Sequence, residues 1–268
     1  MKNQTRKLEG KTIVVKVGGT LVSSEKTLEI FAAEVSWLKS QGARTIVVHG
    51  GGDEISCEAE KRGIAPKFVN GLRVTDEAML KVTEMVLSGV VNKRIAARLT
   101  QFGCDAVGIS GKDGRVIIAR KMQGSGCSMG YVGEVAAVET KLLELLCNGG
   151  FIPVVSPVSA DKEGVTLNVN ADTVTAAIAG AMKAEHVLFL TGAGGIYDAD
   201  KRILPELSLK SIDSLIKNGA IDGGMLPKVK SVEDALQNGA VSVRICGCEV
   251  GSITKAVESE TGGTRILF

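Results

Sequence analysis

Ile13-Val14-Val15-Lys16-Val17-Gly18-Gly19-Thr20 is an apolar run interrupted by one lysine and closed by two glycines. A continuous β-branched run of this kind fits a strand buried on both faces, which requires helices above and below its sheet. An ammonium inside such a strand is costly unless it is paired or faces a ligand. In open α/β sheets ligands sit beyond the carboxyl ends of the strands, where a lysine late in the strand points. Consecutive glycines at that end let backbone N–H groups approach an anion closely. The other reading of Lys16 is a lysine on an edge strand, its stem along the sheet and its head in water.

Working outward, similar runs occupy residues 44–48, 105–109, 151–155, 186–191 and 241–245. Between the first two, Leu28, Phe31, Ala32, Val35 and Leu38 recur at three and four residue intervals and mark a helix over 27–39 that ends near Gly42. Residues 75–101 read as a longer helical region, and the small, apolar 172–182 as a helix enclosed by protein. Residues 115–119 and 131–138 read as a β-hairpin whose loop is the polar, Gly-rich 121–130. The alternation of strands with amphipathic helices places the chain in the α/β class, an αβα sandwich around a central, mostly parallel open sheet. No composition shift marks a linker. One continuous domain over 1–268 is expected, with an N-terminal lobe of about 1–168 and a C-terminal lobe of about 169–268.

Composition narrows the function classes. Lys and Arg number 32 against 30 Asp and Glu, a formal charge of +2, so the bulk charge does not point to nucleic acid or an anionic membrane. Aromatic residues make up 3%, which leaves no stacking platform for single-stranded nucleic acid. No apolar run approaches the roughly 18 to 20 residues that span a bilayer, and the polar residues 1–10 lack a signal peptide's centre, so a cytoplasmic protein is expected. Of the six cysteines only Cys246 and Cys248 are close, and His49 and His186 are the only imidazoles, which favours free thiols over a structural zinc site.

Three further constellations bear on chemistry. His49-Gly50-Gly51-Gly52, with Asp53 opening the next helix, places a second glycine turn after the second strand. In Asn168-Val169-Asn170-Ala171-Asp172, Asn170 fits an N-cap and Asp172 the first helical turn, which suffices to explain that carboxylate structurally. In Gly223-Gly224-Met225-Leu226-Pro227-Lys228-Val229-Lys230, Pro227 fits the first position of a helix. The two lysines then oppose the helix dipole at a cost of roughly 0.3 to 1 kcal/mol each, unless a polyanion binds there or water solvates them. Standard phosphate-loop and dinucleotide signatures are absent: Thr5 stands where Gly10-Lys11-Thr12 would need a glycine, and Met129 where Gly124-Ser125-Gly126 would.

Taken in order, Lys16-Val17-Gly18-Gly19, His49-Gly50-Gly51-Gly52, Asn70-Gly71-Leu72-Arg73-Val74-Thr75, Ser110-Gly111-Lys112-Asp113-Gly114, Leu167-Asn168-Val169-Asn170-Ala171-Asp172, Gly223-Gly224-Met225-Leu226-Pro227-Lys228-Val229 and Gly263-Thr264-Arg265-Ile266 resemble the amino acid kinase family over nearly the whole chain. The Asn70 to Thr75 and Asn168 to Asp172 segments are similar to its acetylglutamate branch. The resemblance implies that the γ-phosphoryl of ATP passes to the side-chain carboxylate of N-acetyl-L-glutamate. Lys16 and Lys228 would then stabilise the transition state and Asp172 would position both. Gly51, Gly52, Arg73, Asn168 and Asn170 would bind the acyl substrate, and Gly18 and Gly19 the phosphates. Thr191, Gly192, Gly195, Tyr197, Ile221, Asp222 and Met225 would hold the nucleotide, with Mg²⁺ on the phosphates. The acyl substrate and dimer contacts would belong to the N-terminal lobe and the nucleotide to the C-terminal one. A homodimer is implied, and with about ten residues before the first strand, one without arginine feedback.

One position departs from the family, which usually carries Asp after the strand at 186–191; here Thr191-Gly192-Ala193-Gly194-Gly195 follows, putting nucleotide contacts there in question and predicting a mobile loop. An acylated or carrier-linked 2-aminoadipate is an alternative substrate, since one methylene discriminates by about 1 to 3 kcal/mol. A non-catalytic binding subunit is a second alternative. A serine hydrolase built on Ser128, Asp161 and His186 is a third, although Ser128 lacks the strand-to-helix context of a nucleophile elbow.

Overall fold

The computed structural model describes residues 7–123, 128–198, 200–209, 211, 225–237, 239–259 and 261–267. Its strands are β1 (Thr12–Val17), β2 (Arg44–His49), β3 (Phe68–Val69), β4 (Leu72–Arg73), β5 (Ala106–Ser110), β6 (Ile117–Lys121) and β7 (Val132–Val138). There follow β8 (Ile152–Ser156), β9 (Val158–Ala160), β10 (Thr166–Val169), β11 (His186–Leu190), β12 (Glu206–Ser208), β13 (Ser242–Cys246) and β14 (Thr264–Leu267). The α-helices are α1 (Gly19–Ser23), α2 (Glu25–Ser40), α3 (Gly52–Lys61), α4 (Glu77–Glu84), α5 (Asn92–Gln101), α6 (Lys141–Asn148), α7 (Ala171–Ala181), α8 (Met225–Gln237) and α9 (Ser252–Glu258).

Eight strands form the main sheet in the order β12-β14-β13-β11-β1-β2-β8-β5. From β13 to β5 every pairing is parallel, while β14 runs antiparallel to β13 and carries β12 with it. β1 is therefore central, with Lys16 in register with Val48 of β2 and Phe189 of β11, and the edge-strand reading of that lysine is excluded. Successive β1 residues point to opposite faces. Ile13, Val15 and Val17 join a core with Leu28 and Val35 of α2 and Ile253 of α9. Val14 faces the other way, into a core with Leu143 of α6, Val174 and Ile178 of α7, and Val232 of α8. Lys16 shares the face of Val14, which turns it toward α7.

Smaller strands complete the described fold. β6, β7, β10 and β9 pair around into a closed four-stranded sheet, which includes the expected hairpin of β6 and β7. β3 and β4 form a two-stranded ribbon. The helical region expected over 75–101 is divided: after α4 a π-helical segment, Met85–Val91, precedes α5. Its Ser88-Gly89-Val90-Val91 combines glycine with β-branched residues, both weak α-formers. α8 starts two residues before the expected position, so Pro227 is its third residue, still in the first turn where a missing N–H costs nothing.

One buried carboxylate ties two helices of the same layer together. α9 is only seven residues long and begins at the left-handed Gly251, with no side-chain cap of its own. Glu34 of the neighbouring α2 supplies the cap, accepting from the backbone N–H groups of Gly251 at 2.7 Å and of Ile253 and Thr254 at 3.0 Å. Glu34→Gln puts an NH₂ where a carboxylate oxygen meets those donors. A loss of about 1 to 3 kcal/mol in urea unfolding is expected, with an unchanged slope.

Candidate active site

The carboxyl ends of β2, β1 and β11 open into a cleft of about 380 Å³. It is lined by Lys16, Gly18, Gly19, Gly51, Gly52, Arg73, Asn168, Asn170, Asp172, Thr191 and Gly192, all of them positions singled out in the sequence. The ends of neighbouring parallel strands are where the sheet rule places a ligand.

At its floor Lys16 Nζ lies 2.8 Å from Asp172 Oδ1, and each side chain is only 7% exposed. The strand supplies the ammonium and the first turn of α7 the carboxylate. Asn170 caps α7 as expected, its side-chain oxygen accepting from Asp172 N at 2.7 Å and Thr173 N at 3.4 Å. That oxygen is thereby committed to the helix end, although Asn170 still lines the cleft.

The two glycine turns pack directly on one another. A Cβ on Gly19 would fall 2.8 Å from Gly51 Cα, and one on Gly51 would fall 2.6 Å from Leu87 Cδ2, so neither position has room for a side chain. α3 starts at Gly52 behind the N-cap Gly51, which has no side chain to satisfy the first N–H groups. Those donors, with the positive end of the helix dipole, are left for a ligand.

Arg73, on β4, closes one end of the cleft. Its Nη2 donates to Gly52 O at 2.7 Å and to Ser56 Oγ at 2.8 Å. Its guanidinium carbon lies 4.7 Å from the Phe68 ring centroid. Arg73 is 8% exposed, and its buried Nη1 has no hydrogen-bond partner among the described residues. Burial presses its pKa down and the neighbouring Asp53 opposes the shift, a cation short of one anion. Asn168 Nδ2 donates to Thr75 Oγ1 at 3.0 Å, and Thr75 Oγ1 donates to Arg73 O at 2.8 Å, so this rim is held as one unit.

Other sequence candidates fall elsewhere. Gly195 and Tyr197 are absent from the lining: a Cβ on Gly195 would meet Ile203 Cγ2 at 2.6 Å, and Tyr197 O–H donates to Ala193 O at 2.6 Å. Lys228 and Met225 lie on α8, but their side chains, and Ile221 and Asp222 altogether, lie outside the described residues. The hydrolase reading fails on placement. His186 opens β11 at the amino edge of the sheet, Ser128 lies in the connection from β6 to β7, and neither lines the cleft. Sequence reasoning missed Phe68, Ser56, Leu87 and Asn92. Each is an ordinary residue of a short strand or helix, and only packing brings it to the site.

Among the described residues no helix is long and apolar enough to cross a membrane. The family model for the amino acid kinase family matches residues 11–247. Acetylglutamate kinase of Granulibacter bethesdensis is 42% identical over 244 residues, covering 87% of this chain and 82% of that protein. Acetylglutamate kinase of Agrobacterium fabrum is 41% identical over 273 residues, covering 98% and 93%. N-acetylglutamate synthase of Neisseria gonorrhoeae, solved with coenzyme A and N-acetyl-glutamate, superposes with a TM-score of 0.86 at 27% identity over 98% of this chain, which spans 61% of that one. Carbamate kinase of Giardia lamblia bound to AMP-PNP shares the fold, with a TM-score of 0.71 at 16% identity over 96% of this chain and 98% of that one. With the matching model over most of its length and relatives this similar end to end, the chain belongs to the amino acid kinase family.

Proposed function

We propose that the protein transfers the γ-phosphoryl group of ATP to the side-chain carboxylate of N-acetyl-L-glutamate, forming N-acetyl-L-glutamyl 5-phosphate in arginine biosynthesis. The observation that carries this reading is the buried Lys16–Asp172 pair at 2.8 Å in the cleft that two glycine turns also line, in a chain 41% identical to an acetylglutamate kinase over 98% of its length. A carboxylate is already ionised near pH 7 and needs no general base, so the work is to align two anions and neutralise charge on the moving group. Lys16 directs its ammonium at that group, and Asp172 fixes its direction. Lys228, at the start of α8, supplies the second ammonium.

In the same reading Gly18 and Gly19 line the phosphates, and the N–H groups of Gly51 and Gly52 meet the acceptor carboxylate. Arg73 takes the α-carboxylate on its unpartnered Nη1, which supports a substrate with a carboxylate at that end. Asn168 and Asn170 face the acetamido end. Thr191 and Gly192 begin the nucleotide side, continued by Gly195, Tyr197, Ile221, Asp222 and Met225, with the chain dividing near residue 168 into acyl-binding and nucleotide-binding lobes. Mg²⁺ carried on the ATP phosphates needs few protein ligands. Bound there, the ion would offset charge on the β- and γ-oxygens. The family resemblance supports a homodimer working in the cytoplasm.

Side-by-side hydroxamate assays with N-acetylglutamate, glutamate and N-acetyl-2-aminoadipate test the substrate. N-acetylglutamate should lead by roughly 10-fold or more in kcat/KM over the longer homologue; parity, or a lead for the homologue, would reassign it. Lys16→Met takes away the ammonium 2.8 Å from a buried carboxylate and should cost about 3 to 5 kcal/mol of stability. Lys16→Met with Asp172→Asn should regain most of that, read as melting temperature, while kcat stays down by roughly 10² to 10³. Recovery of activity along with stability in the double variant contradicts the role given to the pair. Gly192 has nothing within 4 Å of a Cβ position, so Gly192→Asp should fold normally. Restoring the family's carboxylate there should lower KM for ATP by about 3- to 10-fold, the worth of one hydrogen bond; an unchanged KM removes this position from nucleotide binding.

A further inference from the structure

His49 is the last residue of β2 and is completely buried directly behind the second glycine turn. Its Nδ1 lies 2.9 Å from Gly50 O, and its Nε2 lies 3.2 Å from Asn92 Nδ2. The partners fix the direction of both bonds. Asn92 Nδ2 also meets Ile109 O at 3.1 Å and Val154 O at 2.8 Å, two groups that only accept, so the amide NH₂ must be on that side. Lys93 Nζ donates to the amide oxygen, Asn92 Oδ1, at 3.1 Å. Gly50 O can only accept, so Nδ1 carries the proton and donates to it; Nε2 is then the bare nitrogen, facing an Asn92 NH₂ whose two hydrogens are shared among three acceptors.

Asn92 stands at the point where the π-helical segment Met85–Val91 hands over to α5. A π-turn shifts every later side chain around the helix axis relative to an uninterrupted α-helix, and such turns are frequent at functional sites. The segment touches the same loop a second time. Leu87 Cδ2 would lie 2.6 Å and Val91 Cγ2 3.4 Å from a Gly51 Cβ, and Ser88 Oγ lies 2.7 Å from Ser156 Oγ at the end of β8.

We propose that Asn92 and His49 are positioning residues: the π-helical segment holds Asn92, Asn92 holds the imidazole, and the imidazole sets the Gly50 peptide so that the N–H groups of Gly51 and Gly52 face the acyl substrate. This rests on the assignment of Gly51 and Gly52 to that substrate. Burial pushes the His49 pKa down to about 4, so the ring stays neutral at physiological pH. Of the charges facing it, Glu54 from α3 favours protonation, while Arg94 and Lys93 from α5 oppose it. A neutral imidazole is required, because a proton on Nε2 would abut the Asn92 NH₂.

Two experiments test the proposal. The chain has two histidines, so ¹⁵N NMR of the wild type beside His186→Gln isolates the His49 ring. The expected signature is the Nδ1–H tautomer without titration between pH 5 and 8. An Nε2–H tautomer, or a midpoint inside that window, overturns the relay whether or not the enzyme is active. For kinetics, His49→Phe removes both bonds, whereas His49→Gln can still place an acceptor opposite Asn92. His49→Phe should raise KM for N-acetylglutamate about 10-fold and leave KM for ATP within about twofold, with His49→Gln recovering most of the loss. Equal changes in both KM values, or no change, refute a positioning role. A wild type without acetylglutamate kinase activity would instead refute the functional assignment and leave the NMR result to judge the relay.

Discussion

An ammonium and a carboxylate, each 7% exposed, meet at 2.8 Å where the central strand ends and α7 begins. Two ions removed from water lose several kcal/mol of hydration each, and a single close contact seldom returns more than that. The pair is therefore a poor source of stability, and its placement needs another reason. The surrounding architecture is arranged around it. β1 has strands on both sides, so Lys16 can leave the sheet only toward a layer of helices. α7 is built of small residues, with Ala176, Ala179 and Gly180 buried, which lets its first turn come down onto the strand end. Asn170 spends its side-chain oxygen capping that turn and so fixes where Asp172 points. In the proposed reaction a phosphoryl group arriving beside Lys16 would meet a cation already desolvated and oriented, for which no reorganisation remains to be supplied.

The backbone of the two glycine turns is fixed by contact. Gly19 and Gly51 approach so closely that either Cβ would collide with backbone or with Leu87. The requirement for glycine at these positions is one of space. Since the turns belong to adjacent parallel strands, the register of β1 with β2, Val17 beside His49, sets their relative height. The position of the donors follows from strand pairing that the whole sheet supports, which is more precise than a free loop could be.

Much of this was readable in the sequence because the signals are local. A continuous β-branched run specifies a buried strand, and Lys16 inside one announces a partner. Asn170 and Asp172 spell out a helix start. Strand ends shifted by about a residue, as in Ala106–Ser110 against an expected 105–109, because neighbouring strands rather than residue preference decide where pairing stops. Short strands were not legible: β9 and β10, Val158–Ala160 and Thr166–Val169, have three and four residues and exist through pairing with β6 and β7. The π-helical segment was hidden for a different reason. Its apolar spacing passes for α-helical, and the offset becomes visible only in what Leu87, Ser88 and Asn92 reach. The role proposed for Arg73 came from family resemblance alone, since an arginine in Asn70-Gly71-Leu72-Arg73 carries no local sign of burial.

Arg73 shows how the two halves of the cleft are made to agree. Its Nη2 donates to Gly52 O, the carbonyl of the same turn whose N–H groups face the ligand, and to Ser56 one turn into α3. The guanidinium is thus bolted to the glycine turn, and the distance between its free Nη1 and the Gly51 and Gly52 donors is set by covalent geometry plus two charge-assisted hydrogen bonds. On the proposed assignment, a ligand with two carboxylates a fixed number of bonds apart would be measured by that distance. A longer homologue would have to buckle its chain or surrender one end, and surrendering the Arg73 end would leave a buried cation unpaired. Discrimination by chain length then draws on the desolvation of Arg73 rather than on pocket volume, and it follows that a lysine, which cannot grip Gly52 and Ser56 while presenting a second nitrogen, would lose the length selectivity before it lost the charge.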